Sequence, residues 1–477
     1  SKFPDAADVP NILGAIDSGL GKYEDAIKSY REAIKLRSNV SVAYNNIGVC
    51  NNELGKHTEA ITALRKANTL QPSYADTYYN LGIAFDALQD YEASVQSYKK
   101  TTRLKPDYAE ARNNLGSSLK ELGRYNEAAT KLMGALQLKP CRAEFYNNLA
   151  VILDLTGNYE SAIYLFERAI KLKPDYFSAY NNLGVTLKNS IHYQDALQKY
   201  HSAIILKPDY VDGYNNLANL LLERESDELS LKNFERTLMV EPRHEFAEHM
   251  KNSIKGWVTK SAPVGYVKGL FDSYANRFDE HLVKTLDYRV PKRLWDLYKK
   301  NYLLTDQQCY TMDLGCGTGL SGEAFKTISY YMIGVDLSPS MIHQAKEKDI
   351  YDELIVGDVL EVSKKFEKDG KVFDLFICTD VLIYIGDCLE FFASLKKISN
   401  RTSRFVFSTE NKEGDGYALL KTGRYAHSYK YILDCVQKLE YRIIDYQDVP
   451  IRKQNNMKSV SGSLFIVEID NDINSAF

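Results

Sequence analysis

The sequence contains no apolar run long enough to span a bilayer, no CxxC pair and no excess of one sign of charge. Lys and Arg number 60 against 63 Asp and Glu, so the formal net charge is −3. This balance gives no electrostatic case for nucleic acid or an anionic membrane as a partner. The seven cysteines are odd in number and scattered, which predicts neither a disulfide framework nor a zinc site. Reduced thiols and the lack of a membrane span favour a cytoplasmic protein.

No cluster of His, Asp and Glu has the spacing of a metal site, so no metal is expected. The composition is otherwise globular, with 44% apolar and 26% charged residues over 477 positions. A chain of this length suggests about three domain-sized units. Nothing in the composition indicates an oligomeric state.

Proline recurs every 34 residues through the first half of the chain, and a motif built on Asn recurs in the same phase. The motif ends in an apolar and then a small residue, as in Asn113-Asn114-Leu115-Gly116. Each unit carries two helical patterns, and the second ends at the proline. With a degenerate first copy, seven units lie between about residues 7 and 244. The recurring prolines are Pro72, Pro106, Pro140, Pro174, Pro208 and Pro242.

This pattern resembles the tetratricopeptide repeat, which shares the period, the position of Leu-Gly and the closing proline. The resemblance implies an all-α superhelix of seven helix pairs over residues 1–244, with a concave groove. A further helix, at about Glu245–Lys260, is expected to cap the array. Residues 245–264 would then form a capping helix and linker.

One asparagine occupies an equivalent place on the first helix of six units. Asn costs about half a kcal/mol relative to Ala within a helix, so six copies need an offset. The arrangement resembles the asparagine ladder of the O-GlcNAc transferase repeats, which implies a polypeptide bound in the groove through its backbone. The alternative is that each amide bonds within the scaffold. The six residues are Asn46, Asn80, Asn114, Asn148, Asn182 and Asn216.

The second half alternates strand-like apolar runs with helical stretches, which predicts an α/β sheet domain over residues 265–477. The helical stretches lie between the runs. The predicted strands are Cys309–Leu314, Tyr331–Asp336, Glu353–Val356, Leu375–Thr379, Arg404–Ser408, Tyr441–Tyr446 and Ser463–Ile469.

The first of these strands runs into a glycine-rich turn, Asp313-Leu314-Gly315-Cys316-Gly317-Thr318-Gly319. A strand, a tight glycine turn and a helix form a nucleotide-cofactor signature, because the backbone must pass close to the ligand. The next strand ends at Asp336, whose carboxylate can accept both ribose hydroxyls. Leu320 stands where a dinucleotide fingerprint needs a third glycine, so a dinucleotide is not favoured.

The turn resembles motif I of the class I S-adenosylmethionine-dependent methyltransferases, and later segments match that family in order. The resemblance implies a Rossmann-like domain with a mostly parallel seven-stranded sheet and S-adenosyl-L-methionine as cofactor. The segment after Asp336 would pack near the adenine, residues 357–359 would read its ring, and the fourth strand would end beneath the methyl group. The implied cofactor-binding residues are Tyr274, Asp313, Gly315, Cys316, Gly317, Gly319, Asp336, Leu337, Met341, Asp358, Val359 and Thr379.

Residues 271–282, 380–387 and 423–428 look like landmarks of predicted bacterial methyltransferases that carry tetratricopeptide repeats. On that resemblance, the predicted catalytic residues are His427, as a general base, and Tyr384, beside the sulfonium. A structural histidine and a packing tyrosine are the alternatives. His281 and Asp387 are weaker candidates for the base. Arg424 could pair with an acceptor carboxylate, and a scaffold role is its alternative.

Three functions remain open at this stage. The first is a methyltransferase whose repeats recruit a polypeptide, with N- or O-methylation of protein. The second methylates a small or carrier-bound carboxylate or hydroxyl and uses the repeats for docking. The third is a scaffold without catalysis. Thr379-Asp380-Val381-Leu382 replaces the Asn-Pro-Pro-Tyr type of segment, so DNA amino-methylation is not predicted.

Overall fold

The computed structural model describes residues 7–275, 278–279, 282–283, 286–302, 308–453 and 459–471. The chain divides into two compact units, Ser1–Leu220 and Leu221–Phe477. Across the described ranges, every helix is too short or too polar to traverse a lipid bilayer.

Alternating helices of 12 to 14 residues occupy residues 8–240 and confirm the predicted all-helical repeat fold. The second helix of a unit typically begins at an aromatic residue and ends at an aliphatic one, two residues before the recurring proline. The helices are α1 (Asp8–Gly19), α2 (Tyr23–Leu36), α3 (Ser41–Glu53), α4 (His57–Leu70), α5 (Ala75–Ala87), α6 (Tyr91–Leu104), α7 (Ala109–Glu121), α8 (Tyr125–Leu138), α9 (Ala143–Leu155), α10 (Tyr159–Leu172), α11 (Phe177–Asn189), α12 (Tyr193–Leu206), α13 (Val211–Glu223) and α14 (Asp227–Val240).

The small residue that closes each Asn motif lets the two helices of a unit approach closely. A Cβ on Gly82 would lie 2.5 Å from the Tyr98 ring, and one on Gly184 would lie 2.6 Å from the Tyr200 ring. Both tyrosines are fully or almost fully buried. Small and large residues therefore recur at a fixed spacing along this chain because successive units make the same packing contact.

The turn between the two helices of a unit contains one residue with positive φ, and this residue is not always glycine. At position 191 the residue is Ile, with φ of 70° and 72% of its surface exposed. A β-branched residue in this left-handed region is strained. The residues at this turn position are Gly21, Gly55, Gln89, Gly123, Gly157, Ile191 and Glu225.

The substitution Ile191→Gly is expected to raise the free energy of unfolding by about 0.5–1 kcal/mol, because relief of strain exceeds the extra entropy of an unfolded glycine. The matched control Gly157→Ile should lower the free energy of unfolding, since Gly157 has φ of 78°. The space around its Cβ position is open, so the loss would come from backbone strain and not from a clash. Urea denaturation followed by circular dichroism measures both. Equal or lower stability of Ile191→Gly would refute the strain.

The second unit carries the remaining described helices in addition to α14 and the end of α13. These are α15 (Glu245–Lys255), α16 (Val264–Tyr274), α17 (Val290–Asn301), α18 (Leu320–Phe325), α19 (Pro339–Glu347), α20 (Val359–Asp369), α21 (Leu389–Lys397) and α22 (Tyr429–Lys438).

The segment between α15 and α16 is tied to the sheet domain by backbone hydrogen bonds. The Lys260 carbonyl accepts from the amides of Gly386 and Asp387, each at 2.8 Å, and the Ala262 amide donates to the Tyr384 carbonyl at 2.9 Å. His249 of α15 also bonds to the Gly423 carbonyl at 2.8 Å. The predicted linker is therefore a strap that belongs to the second unit.

The sheet of the second unit has seven strands, as predicted. Its spatial order is β3-β2-β1-β4-β5-β9-β8, with the first five parallel and β9 antiparallel to both neighbours. A short hairpin of β6 and β7 forms a separate sheet that the sequence did not predict. The strands are β1 (Cys309–Leu314), β2 (Ser329–Asp336), β3 (Glu353–Val356), β4 (Phe373–Cys378), β5 (Ser399–Glu410), β6 (Tyr417–Leu419), β7 (Tyr425–His427), β8 (Arg442–Lys453) and β9 (Ser459–Asp470).

Both faces of this sheet are covered. On β4, Phe376 and Cys378 belong to one buried cluster, while Leu375 and Ile377 belong to the cluster on the opposite face. This alternation follows from the two-residue period of a strand, and burial on both faces explains the continuous apolar runs.

Candidate active site

The order of the strands places a crevice at the carboxyl ends of β1 and β4. From β1 the chain moves outward through β2 and β3, then returns to the other side of β1 as β4. Ligands of open α/β sheets bind at such a point, where connections leave in opposite directions. The turn after Leu314 and the segment after Cys378 both open at this edge.

The glycine turn requires glycine on conformational and steric grounds. Gly315, Gly317 and Gly319 have φ of 67°, 53° and 97°. A Cβ on Gly315 would lie 2.3 Å from Val381 Cγ2. The turn therefore passes so close to the chain that follows β4 that Gly315 has no room for a side chain.

The substitution Gly315→Ala is expected to lower the free energy of unfolding by about 2–3 kcal/mol, because the clash adds to the left-handed backbone cost. Val381→Ala removes the clashing Cγ2. The double variant Gly315→Ala/Val381→Ala should therefore lose less unfolding free energy than the sum of the two single losses. Denaturation of the four variants of this cycle gives the coupling energy. Strict additivity would show that Val381 does not limit the turn.

Asp336 connects the glycine turn to the end of β2. Its Oδ2 accepts from the Gly317 amide and its Oδ1 from the Ser338 amide, both at 2.9 Å. The residue is 8% exposed, and burial raises the pKa of its carboxyl. Each oxygen keeps a second lone pair, so the carboxylate can still accept hydroxyl groups.

Asp313 lies fully buried beneath the turn. Its Oδ2 accepts from the Tyr351 hydroxyl at 2.7 Å, while its Oδ1 has no hydrogen-bond partner among the described residues. Burial raises the pKa of this carboxyl to about 7. An unpaired buried carboxyl oxygen is costly unless a ligand or a proton satisfies it.

Two carboxylates from residues 271–282 reach the loops around the crevice, and the sequence analysis assigned them no role. Asp272 accepts from the Ser338 hydroxyl at 2.6 Å. Asp279 accepts from the Thr318 hydroxyl and pairs with Lys348 at 2.6 Å. Their presence in a landmark segment was the only sequence signal available.

Other predicted cofactor residues lie around the same edge. Cys316 is buried, and its amide donates to the Val335 carbonyl at 2.9 Å. Met341 is fully buried, and Leu337 is half-buried beside the Tyr384 cluster. The Thr379 hydroxyl bonds to that of Ser321.

Asp358 and Val359 begin α20. Asp358 is the N-cap residue and accepts from the amides of Leu360 at 2.9 Å and Glu361 at 3.2 Å. Val359 is buried in the core. The Tyr274 side chain and His281 lie outside the described residues.

The Tyr384 ring follows β4 in the chain and packs against aromatic side chains of α16. Its ring centroid lies 5.6 Å from that of Phe271 and 6.5 Å from that of Tyr266. Burial raises the pKa of the Tyr384 hydroxyl, and the nearby Arg424 guanidinium opposes that rise. Arg424 is half-buried, and its guanidinium lies close to the Tyr384 hydroxyl.

His427 is 1% exposed. Its Nε2 donates to the Gly386 carbonyl at 3.1 Å and lies 3.3 Å from Cys388 Sγ, while Nδ1 has no hydrogen-bond partner in the part of the chain that the structure describes. Burial lowers the pKa of the imidazole to about 4, so the ring is neutral near pH 7. The Asp387 carboxylate accepts from the Tyr431 hydroxyl at 3.0 Å. A base role for His427 stays a prediction and would require solvent or acceptor to reach Nδ1.

A buried ionic network that the sequence analysis missed lies behind the end of β4. Arg452 is 5% exposed and contacts Glu410 at 2.6 Å and Asp380 at 3.4 Å. Asp380 has φ of 55°, and its amide donates to Ser408 Oγ at 3.0 Å. Backbone strain of this kind persists only where surrounding contacts impose it.

The repeated asparagines bond to one another along the array. Asn148 Nδ2 donates to Asn113 Oδ1 at 2.9 Å, and Asn113 Nδ2 donates to Asn114 Oδ1 at 3.1 Å. Five of the six predicted groove residues donate to the preceding unit, although Asn114 donates to a tyrosine, Tyr79, at 3.3 Å. The six side chains are half-buried. An amide that donates one hydrogen bond, as Asn148 and Asn182 do, has a second N–H for a ligand, whereas Asn114 donates to both Tyr79 and Tyr98. The other five are Asn46, Asn80, Asn148, Asn182 and Asn216.

Within the described ranges, no group of three or more His, Cys, Asp or Glu side chains could hold a metal ion.

Residues 305–448 match the family described as "Methyltransferase domain". Residues 52–89, 86–123 and 155–190 match "TPR repeat", and residues 11–40 and 109–140 match "Tetratricopeptide repeat". The chain joins tetratricopeptide repeats to a methyltransferase domain. The crevice described above lies in this methyltransferase domain.

The methyltransferase domain is similar to short stretches of curated proteins. It is 41% identical over 54 residues to the 18S rRNA (guanine-N(7))-methyltransferase of Bos taurus, covering 11% of this chain and 19% of that protein. It is 27% identical over 108 residues to a ubiquinone biosynthesis O-methyltransferase of Coxiella burnetii, covering 23% and 46%. The chain thus spans 19% to 46% of the length of these relatives.

The chain is also similar to a solved structure. A tetratricopeptide repeat protein from Parabacteroides merdae is 14% identical to this chain with a TM-score of 0.46. That alignment covers 53% of this chain and all of the other.

Proposed function

We propose that the chain is an S-adenosylmethionine-dependent methyltransferase whose repeats recruit a polypeptide. The observation that carries the proposal is the glycine turn bound to Asp336 at the strand-order reversal between β1 and β4. A carboxylate beside bare backbone suits a ribose and its attached chain.

The residues present fit this cofactor. At Gly317 a Cβ would meet no described atom nearer than 4.0 Å, so this side of the turn is open, and Asp336 retains lone pairs for two hydroxyls. The unpaired Oδ1 of Asp313 supplies a further buried acceptor under the turn. A dinucleotide-binding fingerprint that starts at Gly315 needs glycine at position 320, where this chain has Leu320. This favours a cofactor that has no pyrophosphate.

S-adenosylmethionine supplies an electrophilic methyl group on a sulfonium, so the protein's task is placement and exclusion of water. The rings of Tyr384, Tyr266 and Phe271 form an apolar wall that excludes water from the crevice. An aromatic face also attracts a cation, which suits Tyr384 to the position beside the sulfonium. Arg424 would orient an anionic acceptor.

Binding of S-adenosylmethionine to the full chain, measured by isothermal titration, tests the cofactor assignment. Asp336→Asn should weaken binding by more than about tenfold, because it removes the charge that accepts hydroxyl groups. The control Asp90→Asn changes a carboxylate whose role is to cap α6 and should leave binding unchanged. Failure of the unaltered chain to bind would favour a scaffold without catalysis.

The polypeptide acceptor or partner rests on the half-buried amides of the array. Because they are already bonded in series, their free N–H groups are held in place for a peptide backbone. Incubation with methyl-labelled cofactor and a cell extract should label the protein fraction. Asn148→Ala/Asn182→Ala should reduce that label, with circular dichroism as the check on folding.

Similarity to a ubiquinone biosynthesis O-methyltransferase favours a second candidate, a small hydroxyl acceptor, with the repeats as a docking module. Label confined to small molecules would support it. The prediction that nucleic acid is not a partner rests on charge alone, and similarity to rRNA methyltransferases counts against it. Nuclease-sensitive label would overturn that prediction.

A further inference from the structure

Asp380 lies beside the glycine turn, two residues beyond the end of β4. Each of its chain neighbours touches the segment that carries the turn. The Thr379 hydroxyl bonds to that of Ser321, which lies on α18 directly after the turn. A Cβ on Gly315 would lie 2.3 Å from Val381 Cγ2. These two contacts hold Asp380 at the edge of the sheet where the strand order reverses.

The Asp380 carboxylate is loosely held. Its Oδ2 lies 3.4 Å from Arg452 Nη1 and its Oδ1 lies 3.5 Å from the Ser408 hydroxyl. Both distances exceed the roughly 2.9 Å of a strong charge-assisted hydrogen bond. Arg452 instead pairs closely with Glu410, and these two side chains are 3% and 7% exposed against 22% for Asp380. The Asp380 carboxylate therefore retains lone pairs and is accessible to a ligand.

The backbone of Asp380 is strained as well. Its φ of 55° lies in the left-handed region, which a residue with a side chain seldom adopts. Its amide donates to Ser408 Oγ at 3.0 Å, so a contact with β5 imposes this conformation. Strained residues cluster at active sites, where the strain fixes the direction of a side chain.

We propose that Asp380 is a catalytic residue that accepts the proton of the methyl acceptor, an inference that rests on the proposed methyltransferase function. The acceptor is then a hydroxyl or an amine, which becomes a strong nucleophile as it loses a proton. A carboxylate acceptor is already deprotonated at neutral pH, and the charge of Asp380 would repel it. The anionic group that Arg424 would hold is then a separate part of the acceptor.

The proposed step conserves atoms and charge. As the oxygen or nitrogen of the acceptor bonds to the methyl carbon, the bond from that carbon to sulfur breaks and its electron pair stays on sulfur. The proton of the acceptor moves to an oxygen of Asp380 and from there to water.

Other candidate bases fit this step less well. His427 is 1% exposed, so an acceptor could not reach it without a rearrangement. Glu410 is buried and its Oε2 is bonded to Arg452 at 2.6 Å. Asp387 lies nine residues beyond the end of β4, and its Oδ1 accepts from the Tyr431 hydroxyl.

The test compares Asp380→Gly with the unaltered full chain, each incubated with methyl-labelled S-adenosylmethionine and a cell extract. Glycine tolerates the left-handed backbone, so the variant should bind the cofactor within about threefold of the unaltered chain in isothermal titration. Its initial rate of labelling should fall by at least about a hundredfold. Sodium formate should restore part of that rate, because it supplies a carboxylate in the vacated space, and sodium chloride should not.

The matched control is Asp349→Gly. Asp349 is an exposed aspartate of the same unit with φ of 52°, so the same substitution is made in the same backbone region. Its labelling rate should equal that of the unaltered chain. The labelled product should also resist mild alkali, which releases methanol from a methyl ester but leaves an N-methyl or ether group intact.

Three results would overturn the role of Asp380 and leave the methyltransferase function standing. One is labelling by Asp380→Gly at the rate of the control. Another is a variant that loses cofactor binding, or a lost rate that formate does not restore, because Asp380 would then belong to the scaffold. The third is label released by alkali, which would identify a carboxylate acceptor. Failure of the unaltered chain to bind the cofactor or to transfer label would instead refute the proposed function.

Discussion

Replacing Arg452 by Met is expected to lower the free energy of unfolding by about 3–5 kcal/mol. The guanidinium is almost fully buried and contacts Glu410 at 2.6 Å and Asp380 at 3.4 Å. Met preserves most of the volume but leaves the buried Glu410 carboxylate without its counter-charge. Removing one partner of a buried pair is costly because the remaining charge keeps its desolvation penalty. Equilibrium denaturation in guanidinium chloride measures the loss.

Two controls separate this effect from a general response to lost charge. Adding Glu410→Gln to Arg452→Met removes the stranded charge and should restore part of the stability. Lys232→Met breaks a pair in which both side chains are more than 60% exposed, and should change stability by less than about 0.5 kcal/mol. If Arg452→Met also fell within that range, the network would not stabilise the end of β4.

Two buried groups are expected to give opposite pH dependences that cancel between about pH 4 and pH 6.5. Asp313 has a folded pKa of about 7 against 3.8 when unperturbed, so the folded state holds more protons and stability falls as pH rises. His427 has a folded pKa of about 4 against 6.5, so the unfolded state holds more protons and stability rises with pH. Each slope is about 1.4 kcal/mol per pH unit, with opposite signs.

Single substitutions should reveal each slope in the chain without added cofactor. Asp313→Asn keeps an acceptor for Tyr351 and leaves the His427 slope, so stability should rise by about 3 kcal/mol from pH 4 to pH 6.5. His427→Gln leaves the Asp313 slope, so stability should fall with pH over the same window. Denaturation midpoints across the pH range measure both. Parallel profiles of the two variants would contradict the assignment.

Sequence patterns that repeat at a fixed spacing predicted the corresponding parts of the fold. The recurrence of Pro, Asn and small residues every 34 positions reflects one helix-pair contact repeated along the chain. The strands Cys309–Leu314 and Glu353–Val356 match the predicted ends, although β1 is buried along most of its length and β3 is a partly exposed edge strand. The strands β8 and β9 were predicted too short, since exposed polar residues such as Asp448 and Ser461 alternate with the buried ones and interrupt the apolar runs.

The parts that were not predicted join residues far apart in the chain. Asp380 follows β4, Glu410 ends β5 and Arg452 lies on β8, and no motif marks a contact that only the strand order creates. The hairpin of β6 and β7 has three residues in each strand, too few to show a two-residue period. The burial of His427 also depends on that hairpin, so its sequence neighbours gave no sign of it.

The strap between α15 and α16 bears on how such a chain can be divided and recombined. Because Lys260 and Ala262 share backbone hydrogen bonds with residues 384–387, a cut there would expose unpaired amides and carbonyls on both sides. The compact second unit instead begins at Leu221, inside the last helix pair. A gene fusion that exchanged the repeats would therefore need to carry α14, α15 and the strap along with the sheet. The segment that would have to be transferred as one piece begins within a repeat rather than after the array.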